Sequence, residues 1–140
     1  MEQEVRKFKE IATALNAEFL YGDLALTNLN ADKLQLNKPL IVVTTPTGGE
    51  DTYSDGAVFK AKQRAFIFVC KQDVDRNGYN EGVAIEEMHN LMTNFFIGLQ
   101  DDYEIPDKLP YEVLMSYLDA CTIGVMTTAT LQPLTPDSVC

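Results

Sequence analysis

The residues with the most chemistry in their spacing are Asp73-Val74-Asp75-Arg76-Asn77-Gly78. Short oxygen ligands at alternate positions followed by glycine open a calcium loop, because alternate side chains converge on one cation and glycine permits the sharp turn. Asp73, Asp75 and Asn77 are therefore the candidate ligands. The pattern then breaks. Its twelfth position is Ala84, where a bidentate glutamate belongs, and Arg76 sets a cation inside the loop. Glu81, Glu86 or Glu87 could offer a carboxylate only from the helix that follows. The competing reading is a strand-to-helix turn held by Asx hydrogen bonds. It is preferred, so no metal is expected as a resident cofactor.

Other reactive side chains do not assemble a centre. His89 is the only histidine; it has Glu86 one turn before it and no nucleophile in a recognisable pattern, so a boundary histidine is expected. Cys70, Cys121 and Cys140 form no C-x-x-C pair, which removes zinc, and an odd, scattered set fits a reducing compartment. Cys70 reads as core and Cys140 as a surface thiol. Thr47-Gly48-Gly49 lacks the Gly-Lys-Ser/Thr ending of a phosphate loop, and Glu50 and Asp51 would repel a phosphate. No catalytic residue and no cofactor follow, so the chain reads as a non-enzyme.

Charge is more informative. The 140 residues carry a formal net charge of −10. Residues 1–71 hold nine acidic and nine basic side chains, whereas residues 72–140 hold twelve acids against Arg76 and Lys108. Such a chain offers no basic face for phosphates and no polybasic membrane anchor, so neither nucleic acid nor membrane is expected as a partner. No apolar run reaches the ~18 residues of a membrane span. Met1-Glu2-Gln3-Glu4 has neither the basic nor the apolar region of a signal peptide. Lys60, Lys62 and Arg64 alternate along one strand face, and Asp101, Asp102, Glu104 and Asp107 crowd a later connector. Opposite patches on one chain can meet head-to-tail between copies and close a ring. Ile97, off the apolar stripe of its helix, joins these residues as a candidate interface contact. The alternative is two unrelated solvated faces.

These patches must be positioned by a small set of elements. Val5, Phe8, Ile11, Ala12 and Leu15 give residues 2–15 a helical apolar face ending at Asn16. Ala17–Tyr21 reads as a short strand stopped by Gly22-Asp23. Residues 22–38 are rich in turn formers, and Pro39–Thr45 is a β-branched strand with continuous apolar residues at Leu40–Val43. Residues 46–57, with three glycines and three acids, read as a solvated loop. Val58–Lys71 is a long strand whose Ala65–Cys70 segment is apolar on both faces. After the turn at Asp73–Gly78, Ile85, Met88, Leu91, Met92, Phe95, Phe96 and Leu99 stripe a helix over Glu81–Leu99. The Met88/Met92 pair is expected to fill core, and Tyr103, Glu104 and Asp107 to lie in a solvated connector over 100–110. Strands Tyr111–Leu118 and Gly124–Leu131 close the fold, and 132–140 form a short tail. The order α-β-β-β-α-β-β predicts one α+β domain over 1–140, two main helices packed on a mainly antiparallel sheet of about five strands.

The layout resembles the small tail-completion or tail-terminator proteins of tailed bacteriophages and prophages. The resemblance rests on the opening helix leading into Phe19-Leu20-Tyr21-Gly22-Asp23 and Asn28-Leu29-Asn30-Ala31-Asp32-Lys33. It also rests on Pro39-Leu40-Ile41-Val42-Val43, and on Tyr117-Leu118-Asp119-Ala120-Cys121-Thr122-Ile123-Gly124-Val125 with its alternating strand. It covers most of the chain. It implies a virion structural protein, assembled in the bacterial host cytoplasm, that caps or completes a tail as a homo-oligomeric ring. Its partners would be further copies of itself and tail-tube or neck proteins. A monomeric cation-binding module using the Asp73–Gly78 loop is the alternative.

Overall fold

The computed structural model describes residues 3–22, 38–71, 78–115 and 122–136. Helix α1 spans Gln3–Ala14 and strand β1 Glu18–Tyr21; then come β2 Leu40–Val43, β3 Gly48–Ser54 and β4 Ala57–Lys71. Helix α2 spans Gly78–Leu99 and precedes β5 Tyr103–Glu104, β6 Glu112–Met115 and β7 Thr122–Pro133. The class is α+β with a mainly antiparallel sheet, but with seven strands among the described residues rather than about five. Among the described strands only β1 and β2 pair in parallel.

Two long strands, β4 and β7, form the spine of the sheet and pair from Lys62↔Leu131 to Lys71↔Thr122. On one side of β4 lie β2 and β3, one after the other. On the far side of β7 lie β6 and β5, again end to end. Gly124 lies beside Val69 in this spine, where a Cβ would run into the Phe68 carbonyl.

Three departures from the sequence expectation have physical causes. Residues 48–54, expected in a loop, form β3, because their ladder to β4 satisfies the backbone although every side chain is exposed. With both faces in water there is no apolar alternation to reveal the strand. The connector contains β5, and its Tyr103 is buried rather than solvated. The closing strand continues through Pro133, which pairs with Tyr103, so the tail begins later than residue 132.

The predicted apolar faces are buried as expected. Asn16 ends α1 in the left-handed region (φ 59°), with Asn16 N–H donating to Thr13 O and Ala17 N–H to Ala12 O, the paired bonds of a Schellman cap. Phe8 and Ala12 of α1 and the Met88–Leu99 stripe of α2 cover the sheet face carrying Ile41, Val43, Phe66, Phe68, Val125, Ala129 and Leu131. Phe8, Phe66, Phe68, Phe95 and Phe96 form an aromatic cluster, with the Phe66 and Phe96 rings 5.1 Å apart and edge-on. Each fully buried phenyl contributes ~2–3 kcal/mol relative to exposure. Leu40, Val42, Ile67 and Val69 are buried on the opposite face, so both continuous apolar runs are covered on both sides. Met88 and Met92 are core, and Cys70 packs against it with its thiol 3.8 Å from the Ile123 carbonyl oxygen.

Candidate assembly surface

The expected basic stripe starts from strand parity. Lys60, Lys62 and Arg64 do share a face of β4, but Phe66 and Phe68 continue that same face into the core. The stripe therefore descends from solvent into the interior. Lys60 is exposed and Lys62 is half-buried. Arg64 is only 1 % exposed, which overturns its assignment to a solvent-facing contact.

Arg64 instead secures a break in the sheet edge. Val43 pairs with Phe66 and Gly48 with Gln63, so four residues, 44–47, stand where β4 has only Arg64 and Ala65. The ladder is re-made locally: Thr44 N–H donates to Ala65 O at 3.1 Å, and Ala65 N–H donates to Thr44 Oγ1 at 2.9 Å. The Arg64 guanidinium donates to the Thr44 carbonyl at 3.2 Å and to the Tyr21 hydroxyl at 3.3 Å. Glu4 of α1 places Oε2 3.4 Å from Arg64 Nη2 and 3.6 Å from Lys62 Nζ. The cation also lies over the Phe8 and Tyr21 rings, 5.7 and 5.6 Å from their centroids. A buried cation is tolerated only with such partners.

Past the bulge, β3 and the first residues of β4 form a two-stranded ribbon. The ladder to β7 begins only at Lys62, so among the described strands Ala57–Ala61 pairs with β3 alone. Tyr53, near the turn at Asp55-Gly56, is 74 % exposed. In the ribbon Asp51 of β3 stands opposite Lys60 of β4, and Glu50 opposite Ala61.

The acidic patch lies across the sheet. Asp101, Asp102, Glu104 and Asp107 are all exposed, around the end of α2 and β5. Asp102 is already engaged by Lys7 of α1 at 3.2 Å. An open groove of about 560 Å³ sits beside this pair, lined by Glu4, Lys7, Asp102, Tyr103 and Pro133. Burial, followed by the Glu4 carboxylate, pushes the Tyr103 hydroxyl well above its ordinary range; Asp102 adds to the rise and Arg64 opposes it. Ile97 is 55 % exposed on α2. The structure thus separates the candidates into an exposed set (Lys60, Ile97, Asp101, Glu104 and Asp107) and a set with internal partners (Lys62, Arg64 and Asp102).

Sequence reasoning missed one surface. Tyr111, Val113 and Met115 are exposed at and along β6, whose only partner among the described strands is β7. Their alternation was visible, but not that the strand is at an edge. His89 is half-buried, as expected of a boundary residue, and stacks on Tyr111 at 4.2 Å. The candidate ligands Asp73, Asp75 and Asn77 lie outside the described residues, as do Cys121 and Cys140. Among the described residues no three His, Cys, Asp or Glu side chains gather as a metal site, and no helix is long and apolar enough to cross a membrane. No protein-family model matches the chain, and no curated protein matches it.

Proposed function

We propose that this chain is a structural component of a phage or prophage virion, a terminator-like protein that completes or caps the tail through ring-forming self-association. The exposed ribbon carries the reading. A two-stranded hairpin is marginal in water by itself, so a chain that keeps one strand of it with every side chain exposed gains when a further surface covers it. Lys60 on the ribbon and the acids around β5 supply surfaces of unlike charge, as head-to-tail contact requires. The work of such a protein is surface complementarity, not catalysis, and its partners are copies of itself and tail-tube or neck proteins. Assembly takes place in the host cytoplasm and the product is part of the virion.

The test is deletion of the gene from its phage or prophage, followed by electron microscopy of the particles. The expected result is unfinished or unjoined tails, with normal tails restored by supplying the protein. Normal, infectious particles made without it would reject the reading. Tail-tube, tape-measure or portal genes beside this one are the expected gene context.

A further inference from the structure

We infer that the strip of sheet beside α2 formed by Tyr111, Val113 and Met115 is a docking site for an amphipathic helix of a partner protein, apolar on one face and flanked by lysine or arginine. The inference is independent of the self-association proposed above and concerns a different surface.

The register fixes which face of β6 this is. Val113 pairs with Val125, and Val125 belongs to the core under the helices. Paired residues of an antiparallel ladder project to the same face, and alternation puts Met115 with Val113. Tyr111 is on that face too, because its ring stacks on His89 of α2. Leu114, between Val113 and Met115, packs against the core on the other face. Although they lie on the helix side, Tyr111, Val113 and Met115 are 45, 47 and 47 % exposed. Adjacent exposed apolar side chains form a contiguous patch, which marks an interaction surface.

Among the described elements the helix layer stops short of this strip. On one flank of α2, Gly98 lies so near Ile11 of α1 that a Cβ would stand 3.2 Å from its side chain. His89 precedes Gly98 by nine residues, about two and a half turns, and so points to the opposite flank. α2 therefore has α1 on one side and Tyr111 on the other. It lies over β4 and β7. A further helix in this layer, ~8–10 Å from α2, would lie over β6.

The surroundings set the charge of the occupant. Residues 78–115 hold eight acids and one base, Lys108. Glu86, one turn before His89, and Glu112, between Tyr111 and Val113, are exposed beside the strip. Cationic flanks are steered to such a surface and acidic ones repelled. An apolar helix face laid on Tyr111, Val113 and Met115 with basic flanks near these acids satisfies both features.

A synthetic helix supplies the probe: about 15 residues, leucine at every third or fourth position, lysine elsewhere, and one tryptophan on the leucine face. The chain has no tryptophan, so the emission reads the peptide alone. Binding should blue-shift it, weaken with added salt, and fall about tenfold when glutamate replaces the lysines. Met115→Glu should weaken binding about tenfold, whereas mere attraction of a cationic peptide to an acidic protein would gain from the extra acid. Val113→Thr, which keeps the β-branch, should weaken it as well. Circular dichroism melting should stay near wild type in both variants, since both side chains are half exposed. A photoreactive leucine in the peptide should cross-link to residues 85–89 or 111–115. An unshifted emission, equal affinity for the glutamate peptide, an unchanged or tighter Met115→Glu complex, or cross-links elsewhere would each overturn the inference. So would self-association that Met115→Glu abolishes, since a second copy then occupies the strip. Gene deletion tests the virion reading separately, so either can fail while the other stands.

Discussion

Glu4→Gln is the most incisive perturbation of the fold. It keeps the size of the side chain but removes the carboxylate facing a guanidinium that is 1 % exposed. Breaking a buried ion pair by deleting one member costs ~3–5 kcal/mol, because the other charge stays buried. Three features reduce that figure here. Glu4 is itself 19 % exposed, its oxygen lies at a long 3.4 Å, and Arg64 keeps the Thr44 carbonyl, the Tyr21 hydroxyl and two aromatic faces. The expected loss is about 2 kcal/mol, or a melting shift of about 4–8 °C. Arg64→Met should cost less than its burial suggests, about 1–2 kcal/mol, since Lys62 and solvent remain to Glu4 while the acceptors it leaves, such as the Thr44 carbonyl and the Tyr21 hydroxyl, are neutral groups and not a buried charge. The decisive quantity is the coupling. Once Arg64 is replaced by methionine, Glu4→Gln should be nearly silent, so the double variant should fall short of additivity by at least ~1 kcal/mol. Urea unfolding of the four proteins, followed by circular dichroism, measures it. Losses that add to within ~0.5 kcal/mol would refute the claim that Glu4 balances the buried cation.

Other expected outcomes follow from single contacts. Tyr103 is an acid held protonated by the fold, so native protein binds that proton more tightly than unfolded chain. Stability should be full below about pH 10 and decline above it, and Tyr103→Phe should flatten the decline in urea titrations at alkaline pH. Thr127→Val removes the hydroxyl that donates to the Pro110 carbonyl at 2.7 Å, and should cost about 1–2 kcal/mol in the same assay. Gly124→Ala drives a Cβ into the Phe68 carbonyl between the two longest strands, and should cost about 3 kcal/mol or leave the protein insoluble.

The helices and the central strands were legible in the sequence because burial writes a period. The α2 stripe from Met88 to Leu99 and the runs at Leu40–Val43 and Phe66–Val69 are buried as their patterns required. β3 was illegible because both of its faces are wet, and its strand character comes from backbone pairing with β4. Arg64 was misplaced because charge was weighed above parity. Counting by twos from Arg64 leads to Phe66 and Phe68, which marked its face as interior. Its partner, Glu4, lies 60 residues away on another element, where no local pattern could point. Tyr103 was hidden by its acidic neighbours, since a two-residue strand shows no alternation.

The charge asymmetry constrains how copies can meet. Residues 1–71 are balanced and residues 72–140 hold the whole excess of −10. Inside the fold, Glu4 takes up Lys62 and Arg64, and Lys7 takes up Asp102. Lys60 is exposed on the ribbon opposite Asp51, while Asp101, Glu104, Asp107 and Glu112 are exposed around β5 and β6. A two-fold contact through the β5–β6 edge would set acid against acid, and one through β3 would oppose Glu50 and Asp51 to themselves. Like charges opposed in a desolvated contact cost several kcal/mol. A head-to-tail contact between surfaces of unlike charge would avoid both. Under the proposed ring assembly, this distribution favours a contact between unlike surfaces over a two-fold contact that repeats one acidic surface.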